Sequence, residues 1–143
     1  MIELFQTTYA SSDLANIAQK VLDQIQLAET KNTVVALSGE LGAGKSTLVR
    51  EILYRLGLNK NIPVLSPTFS YYQIYEINLK KVIHADFYRA SKILAAEFTE
   101  VIDSADLCFI EWLENGHIEL KPDFFLNLSY VDEDFRTLKC LRS

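Results

Sequence analysis

The chain has 143 residues, of which 49% are hydrophobic and 23% are charged, and its formal net charge is −5. This length and composition suit one globular domain with a single core, so we predict that residues 1–143 form one domain. The negative charge argues against a domain that holds DNA or RNA through its own basic surface. No apolar run is long enough to span a membrane, and the first residues lack a secretory signal.

The first half of the chain predicts two strands and two helices. The stretch IELFQT alternates apolar and polar residues, as an edge strand does, and SSDLANIAQKVLDQIQ follows with apolar residues at helical spacing. Ser11 or Ser12 is placed to cap this helix. TVVALS is a short β-branched run that predicts a buried strand, and STLVREILYRL predicts a helix that ends at Gly57. A glycine-rich loop joins this strand to this helix.

The second half of the chain predicts strands in pairs. FSYYQIYEI and KVIHADFY flank a polar bend at Asn78, which is the pattern of a hairpin. SKILAAEFTEVI predicts a helix, DLCFIEW a buried strand, and DFFLNLSYV with FRTLKCL a second hairpin around residues 132–134. Together these elements indicate the α/β class, with a mixed sheet and helices on its faces. No CxxC pair suggests zinc, so Cys108 and Cys140 are predicted to be reduced thiols in a cytoplasmic protein.

The loop between TVVALS and STLVREILYRL fits the P-loop pattern GxxxxGK[ST]. Glycines let backbone N–H groups turn inward around phosphate oxygens, and the following helix adds its unpaired N–H groups and its positive dipole end. Lys45 would contact the β- and γ-phosphates, Ser46 would bind Mg²⁺, and Thr47 would reach the α-phosphate. We therefore predict ATP or ADP with Mg²⁺ as cofactors, rather than a turn that only joins two elements. The predicted binding residues are Gly39, Glu40, Leu41, Gly42, Ala43, Gly44, Lys45, Ser46 and Thr47.

Two carboxylates follow apolar strands and are candidates for the metal site and for catalysis. Glu111 ends the run LCFI in the manner of a Walker-B strand, and Asp86 follows the apolar strand before HADFYR. We predict that Ser46 and Glu111 bind the metal and that Asp86 and Glu111 are catalytic. The sequence leaves open which of the two acids binds Mg²⁺ and which orients the attacking water.

Four other side chains near these segments have roles that the sequence leaves open. His84 shares the strand face of Asp86, but a lone histidine is more often structural. Trp112 either packs against the end of the sheet or shapes the site or a partner surface. Arg136 and Lys139, in the last hairpin, could approach the nucleotide, but we interpret both as exposed, solvated charges.

Four segments in a fixed order, GELGAGKST, SPTFSYYQIYE, HADFYR and IEW, resemble the TsaE (YjeE) family of small bacterial P-loop ATPases across residues 39–112. The resemblance implies a P-loop NTPase-like three-layer sandwich with a mixed parallel/antiparallel sheet and helices on both faces. It implies slow ATP hydrolysis together with the partners TsaD and TsaB. This activity would assist the enzymes that attach threonylcarbamoyl to the adenosine next to the anticodon of certain tRNAs. The tRNA would be met only through that complex. SPTF would be a switch-like loop in which Thr68 contacts the γ-phosphate and acts with Asp86 and Glu111.

Two other functions stay open from the residues alone. A small P-loop kinase would need an acceptor pocket and an arginine lid, whereas Arg55, Arg89, Arg136 and Arg142 are not grouped as one. A non-catalytic binding module would use the nucleotide only to order the SPTF segment for a partner. Phosphate transfer to an added acceptor would identify a kinase, and turnover that depends on Glu111 would count against the binding module.

Overall fold

The computed structural model describes residues 1–28, 31–65, 67, 71–90 and 95–143, and these ranges contain three α-helices and seven strands. In chain order they are β1 (Ile2–Ala10), α1 (Leu14–Leu27), β2 (Thr33–Ser38), α2 (Lys45–Leu56), β3 (Tyr72–Ile77), β4 (Lys80–Asp86), α3 (Ala95–Asp103), β5 (Leu107–Glu111), β6 (Phe124–Tyr130) and β7 (Phe135–Arg142). Short 3-10 turns lie at Ser11–Asp13 and Leu113–Gly116. No helix in the described part of the chain is long and apolar enough to cross a bilayer.

All seven strands join one sheet in the order β1-β7-β6-β2-β5-β4-β3. The central strand β2 is parallel to both of its neighbours, β5 and β6, and β4 is parallel to β5. The pairs β1–β7, β6–β7 and β3–β4 are antiparallel. The mixed sheet, the edge position of β1 and both hairpins are therefore confirmed. The carboxyl ends of the parallel strands β2, β4 and β5 lie at one edge of the sheet, where the predicted site residues follow them.

Helices cover both faces of this sheet. Side chains alternate along β5, so Phe109 faces the side of α1 and α2 while Ile110 faces the side of α3. On the first side, Ile52 of α2 is fully buried. On the second side, the ring of Phe98 in α3 packs edge-on against Phe87, with ring centroids 5.0 Å apart. The predicted α/β sandwich of three layers is confirmed.

The ends of the first two helices test the predicted capping residues. Neither Ser11 nor Ser12 caps α1, so that prediction is wrong. Both serines lie in a 3-10 turn that runs directly into α1, and the Leu14 N–H bonds the Ser11 carbonyl instead of a side chain. Asp13 occupies the N-cap position of α1 without a side-chain capping bond. Gly57 ends α2 with a left-handed φ of +119°, as predicted.

Two of the predicted segments run into residues that the structure does not describe. Residues 66 and 68–70, which include the predicted phosphate contact Thr68, lie outside the described residues, as do residues 91–94 at the start of the third predicted helix. Within the described part, β3 begins at Tyr72 because Tyr71 has a left-handed φ of +67°. That angle is incompatible with an extended strand, so the hairpin is shorter than predicted.

Both cysteines are free thiols in the core. Cys140 packs on the side of α1 and α2, and Cys108 packs on the side of α3. Burial raises the pKa of the Cys140 thiol to about 11 and raises the pKa of the Cys108 thiol as well. Because the thiolate is the reactive form, both side chains act as small apolar core residues.

Candidate active site

The glycine-rich loop connects the end of β2 to the start of α2 at Lys45. Gly42 and Gly44 have left-handed φ angles of +81° and +98°, and Gly44 occupies the N-cap position of α2. Glycine adopts these angles without the clash that a Cβ atom brings. The strand, loop and helix therefore follow one another as the P-loop pattern predicts, and the unpaired N–H groups in the first turn of α2 lie beside the loop.

Gly39 packs directly against the neighbouring strand β6. A Cβ atom at this position would lie 2.5 Å from the carbonyl oxygen of Leu128, and its φ is +147°. We expect Gly39→Ala to lower the free energy of unfolding by about 3 kcal/mol, since backbone strain of this kind alone costs about 1–3 kcal/mol. Chemical denaturation measures the change. Gly42→Ala is the matched control, because its φ is also left-handed but no atom lies within 4 Å of its Cβ position. Equal losses in the two variants would contradict the part assigned to the Leu128 carbonyl.

Lys45 is the buried cation of the loop, with 5% of its surface exposed. Its Nζ atom donates hydrogen bonds to the carbonyl oxygens of Gly39, at 2.5 Å, and Glu40, at 3.0 Å. The same atom lies 4.6 Å from the centre of the Trp112 ring. Burial lowers the pKa of Lys45, and the negative charge of Glu111 opposes this shift. A bound phosphate would supply further negative charge at a position where that charge stabilises the lysine.

The two predicted acids lie side by side, because the register of β4 and β5 pairs Asp86 with Glu111. The Ser46 Oγ atom donates to the Glu111 carboxylate, 3.0 Å from Oε1 and 2.8 Å from Oε2. Asp86 Oδ1 accepts a hydrogen bond from the Tyr88 N–H at 2.9 Å. Both carboxylates are buried, with exposed fractions of 7% for Asp86 and 2% for Glu111. Glu111 is thus the acid in contact with the predicted metal-binding hydroxyl, and Asp86 lies one strand away.

His84 lies in direct contact with Glu111. Its Nε2 atom is 2.5 Å from Glu111 Oε2, and its side chain is completely buried. The sequence favoured a structural role for His84. A single sequence does not distinguish a structural histidine from one that contacts a carboxylate of the site. The strand period places His84 on the same face as Asp86, and the pairing of β4 with β5 then brings the ring to Glu111.

Trp112 and Tyr88 form an aromatic wall of the site, with ring centroids 5.0 Å apart. Trp112 directly follows β5 and has a left-handed φ of +57°, which is unusual for a bulky residue. Its ring contacts the core on the α3 side of the sheet and also lies over Lys45 Nζ. The two roles that the sequence left open for Trp112 are therefore combined in one side chain.

Arg136 is part of the site, so its interpretation as a solvated charge is wrong. Its Nε atom donates to the Gly42 carbonyl at 3.2 Å, and its Nη1 atom donates to the carbonyls of Asp132, at 2.6 Å, and Phe135, at 3.0 Å. Arg136 thus joins the β6–β7 hairpin to the glycine-rich loop, through a hydrogen bond between residues 94 positions apart. Lys139, in contrast, is partly exposed. Its Nζ atom lies 3.8 Å from Oε1 of Glu3 on the neighbouring strand β1.

One open cleft of about 600 Å³ lies between the loop, the two acids and the aromatic wall. The volume is in the range of small-molecule sites, about 300–1,000 Å³. Three cations, Lys45, Arg89 and Arg136, and two carboxylates, Asp86 and Glu111, face it, so the cleft combines groups that bind phosphate with groups that bind a metal ion. The lining residues are Leu41, Gly42, Gly44, Lys45, Ser46, Thr47, Asp86, Tyr88, Arg89, Glu111, Trp112 and Arg136.

Most of the predicted site residues meet in this cleft. Among those that do not line it, Ala43 is fully buried, Glu40 supplies its carbonyl to Lys45, and Gly39 packs against β6. Thr68 lies outside the described residues.

Ser46 and Glu111 fit part of the coordination of a magnesium ion. They offer hydroxyl and carboxylate oxygens, the ligands that Mg²⁺ prefers. Within the described ranges, no group of three or more His, Cys, Asp and Glu side chains could hold a metal ion alone. An ion at this position would need further oxygen ligands from phosphate and water, as Mg²⁺ in nucleotide sites does.

Most of the chain, and not only the cleft, matches one protein family. A family model described as "Threonylcarbamoyl adenosine biosynthesis protein TsaE" matches residues 8–138. This chain belongs to the TsaE family. The match extends from β1 into β7, so the TsaE assignment includes the P-loop, both acids and the hairpin that carries Arg136. The resemblance inferred from four short segments is confirmed.

Several relatives carry the name "tRNA threonylcarbamoyladenosine biosynthesis protein TsaE". The Aquifex aeolicus protein is 31% identical over 134 residues, which cover 93% of this chain and 92% of that protein. The Haemophilus influenzae protein is 35% identical over 113 residues, which cover 76% of this chain and 70% of that protein. The crystal structure of Bacillus subtilis YdiB is similar with a TM-score of 0.69 at 20% identity, covering 99% of this chain and 88% of that one, and it supports the α/β fold.

Proposed function

We propose that this TsaE-family chain binds ATP, hydrolyses it slowly with Mg²⁺, and is required for threonylcarbamoyl modification of the adenosine next to the anticodon in tRNA. The observation that carries the ATPase proposal is the cleft in which the P-loop, Ser46, Asp86 and Glu111 meet. The names of the relatives support the tRNA modification. We propose TsaD and TsaB as partners, tRNA as a molecule reached only through their complex, and the cytoplasm as the place of action.

The loop and Lys45 would bind the phosphates. Backbone N–H groups of the loop and of the first turn of α2 donate to phosphate oxygens, and the α2 dipole favours negative charge at this end. Lys45 would exchange its hydrogen bonds with the loop carbonyls for contacts with the β- and γ-phosphates. Thr47, which lines the cleft, would add its hydroxyl at the α-phosphate.

Ser46 and Glu111 would hold Mg²⁺. When bound, the ion neutralises charge on the phosphate oxygens. The Ser46 hydroxyl donates to Glu111, and this contact keeps the two groups together in the lining of the cleft. The burial of Glu111 also keeps water away from its carboxylate, which strengthens its interaction with a cation.

Asp86 would orient the attacking water. It lines the cleft one strand from Glu111, and the Tyr88 N–H holds its Oδ1 atom. We expect Asp86→Ala to reduce ATP turnover by about 100-fold, the usual scale for a positioned acid or base, while changing ADP affinity little. Calorimetry and a phosphate-release assay measure the two effects, with Asp103→Ala, on an exposed position of α3, as the control. Equal loss of binding and turnover would make Asp86 structural.

Steady-state ATP hydrolysis is the experiment that tests the proposal as a whole. The rate is measured for the chain alone and again with purified TsaB, TsaD and tRNA. We expect a low rate alone and a strong stimulation by the complete mixture. Failure to bind ATP or ADP in Mg²⁺ would remove the basis of the proposal, and normal binding without stimulation would reopen the alternatives.

A small-molecule kinase is the second candidate, and one observation favours it. Arg89 and Arg136 both line the cleft, so two of the arginines that the sequence left scattered do approach the site. Arg136 is nevertheless held by three backbone carbonyl groups in the described structure, which suits a support of the loop better than a mobile lid. Transfer of labelled phosphate from ATP to an added acceptor, faster than hydrolysis in water, would identify a kinase.

A further inference from the structure

His84 is a buried polar residue whose position the proposed chemistry does not yet use. It lies on β4, on the face of the sheet that α1 and α2 cover, and none of its side-chain surface is exposed. Its neighbour on the same face, Val82, packs into the apolar core. Of the described side chains, His84 contacts only one hydrogen-bond partner, Glu111.

His84 contacts Glu111 without lining the cleft itself. Ser46 and Glu111 line the cleft, whereas His84 does not. Glu111 Oε2 is shared between His84 Nε2, at 2.5 Å, and Ser46 Oγ, at 2.8 Å. Glu111 Oε1 is bonded to Ser46 Oγ alone among the described groups, at 3.0 Å. His84 thus holds one oxygen of the carboxylate, Oε2, and Ser46 Oγ lies within hydrogen-bond distance of both carboxylate oxygens.

The contact with Glu111 indicates which ring nitrogen carries a hydrogen. An ionised carboxylate can only accept hydrogen bonds, so Nε2 carries the hydrogen in this contact. The other ring nitrogen, Nδ1, is buried without a hydrogen-bond partner among the described residues. A buried polar atom without a partner destabilises the folded state, so an apolar side chain would fill this place in the core at lower cost. The benefit that offsets this cost is the Nε2–H group at Glu111.

We propose that His84 is a positioning residue for the metal site, acting through Glu111. Its Nε2–H group fixes Oε2, so that the carboxylate keeps the orientation in which it contacts the Ser46 hydroxyl at the cleft. This inference rests on the proposed function, in which Ser46 and Glu111 hold Mg²⁺ beside a nucleotide. Groups that orient a metal ligand in this way typically change metal affinity by about 10- to 100-fold when removed.

The test compares two substitutions with opposite predictions. His84→Gln keeps an N–H donor the same number of bonds from the backbone as Nε2, and His84→Leu removes the donor while filling the space. ADP affinity is measured by calorimetry for the full chain, first with EDTA and then across a Mg²⁺ titration. We expect His84→Leu to bind ADP normally in EDTA but to need about tenfold or more Mg²⁺ for its half-maximal effect, and His84→Gln to stay within about threefold of the wild type.

Each outcome decides the proposal. A normal Mg²⁺ response in His84→Leu overturns it, and so does an equal loss in the Leu and Gln variants, because then the N–H group is not what matters. ADP binding in EDTA checks that each variant is folded. If His84→Leu fails this check, His84→Asn replaces it, because the asparagine amide is one bond nearer to the backbone than Nε2 and does not reach Glu111. If the wild-type chain itself binds no ADP, the proposed function fails, and this inference fails with it.

Discussion

Replacing Lys45 with alanine is expected to weaken ADP binding by about 100-fold, or about 2.7 kcal/mol. The side chain is almost completely buried, and its ammonium group is bonded to two carbonyls of the loop that would surround the phosphates. Its pKa is lowered by burial, so the charge is weakly solvated and gains much from a phosphate partner. Calorimetric titration with ADP, with and without Mg²⁺, measures the loss.

Lys139→Ala is the matched control for this substitution. Lys139 carries the same charge but lies on β7 with 42% of its side chain exposed, near Glu3. Because exposed ion pairs contribute little, its removal should leave both ADP affinity and stability nearly unchanged. Unchanged ADP affinity in Lys45→Ala would mean that the loop is not the nucleotide site. An equal effect of the two substitutions would indicate a general effect of net charge.

Much of the fold could be predicted from local pattern. The β-branched run of β2, the alternation in β1 and the bend at Asn78 each act over a few residues, so the sequence determines them directly. The strand order is different, because it depends on contacts between distant parts of the chain. β1 pairs with β7, joining the register of Ile2 to Arg142, and no local signal specifies that choice.

The candidate site also contains parts that local sequence determines and parts that depend on contacts between distant residues. The loop from Gly39 to Ser46 was predictable because its chemistry needs consecutive residues, and the acids were predictable because each ends a strand. The contact between Ser46 and Glu111, rather than Asp86, depends on how α2 lies over the sheet. The missed residue Arg136 reaches the loop through the β6–β7 hairpin, and only the strand order reveals that this hairpin lies beside β2.

Glu111→Gln is expected to reduce ATP turnover by about 100-fold or more while ADP binding in EDTA stays within about twofold of the wild type. The amide keeps the size of the carboxylate and still accepts a hydrogen bond from His84, so the cleft should keep its shape. It lacks the negative charge that would hold the metal ion together with Ser46. Glu114→Gln, the same change three positions along the chain at an exposed residue, is the control and should leave turnover unchanged.

The result for Glu111 also separates the proposed ATPase from a nucleotide-gated binding module. An ATPase loses turnover in Glu111→Gln and keeps it in Glu114→Gln, because only the first acid touches the Ser46 hydroxyl. A binding module has no turnover to lose, so both variants and the wild type would release phosphate at the same background rate even with TsaB, TsaD and tRNA present. Turnover that persists in Glu111→Gln would instead move the catalytic role to Asp86, the other buried acid that lines the cleft.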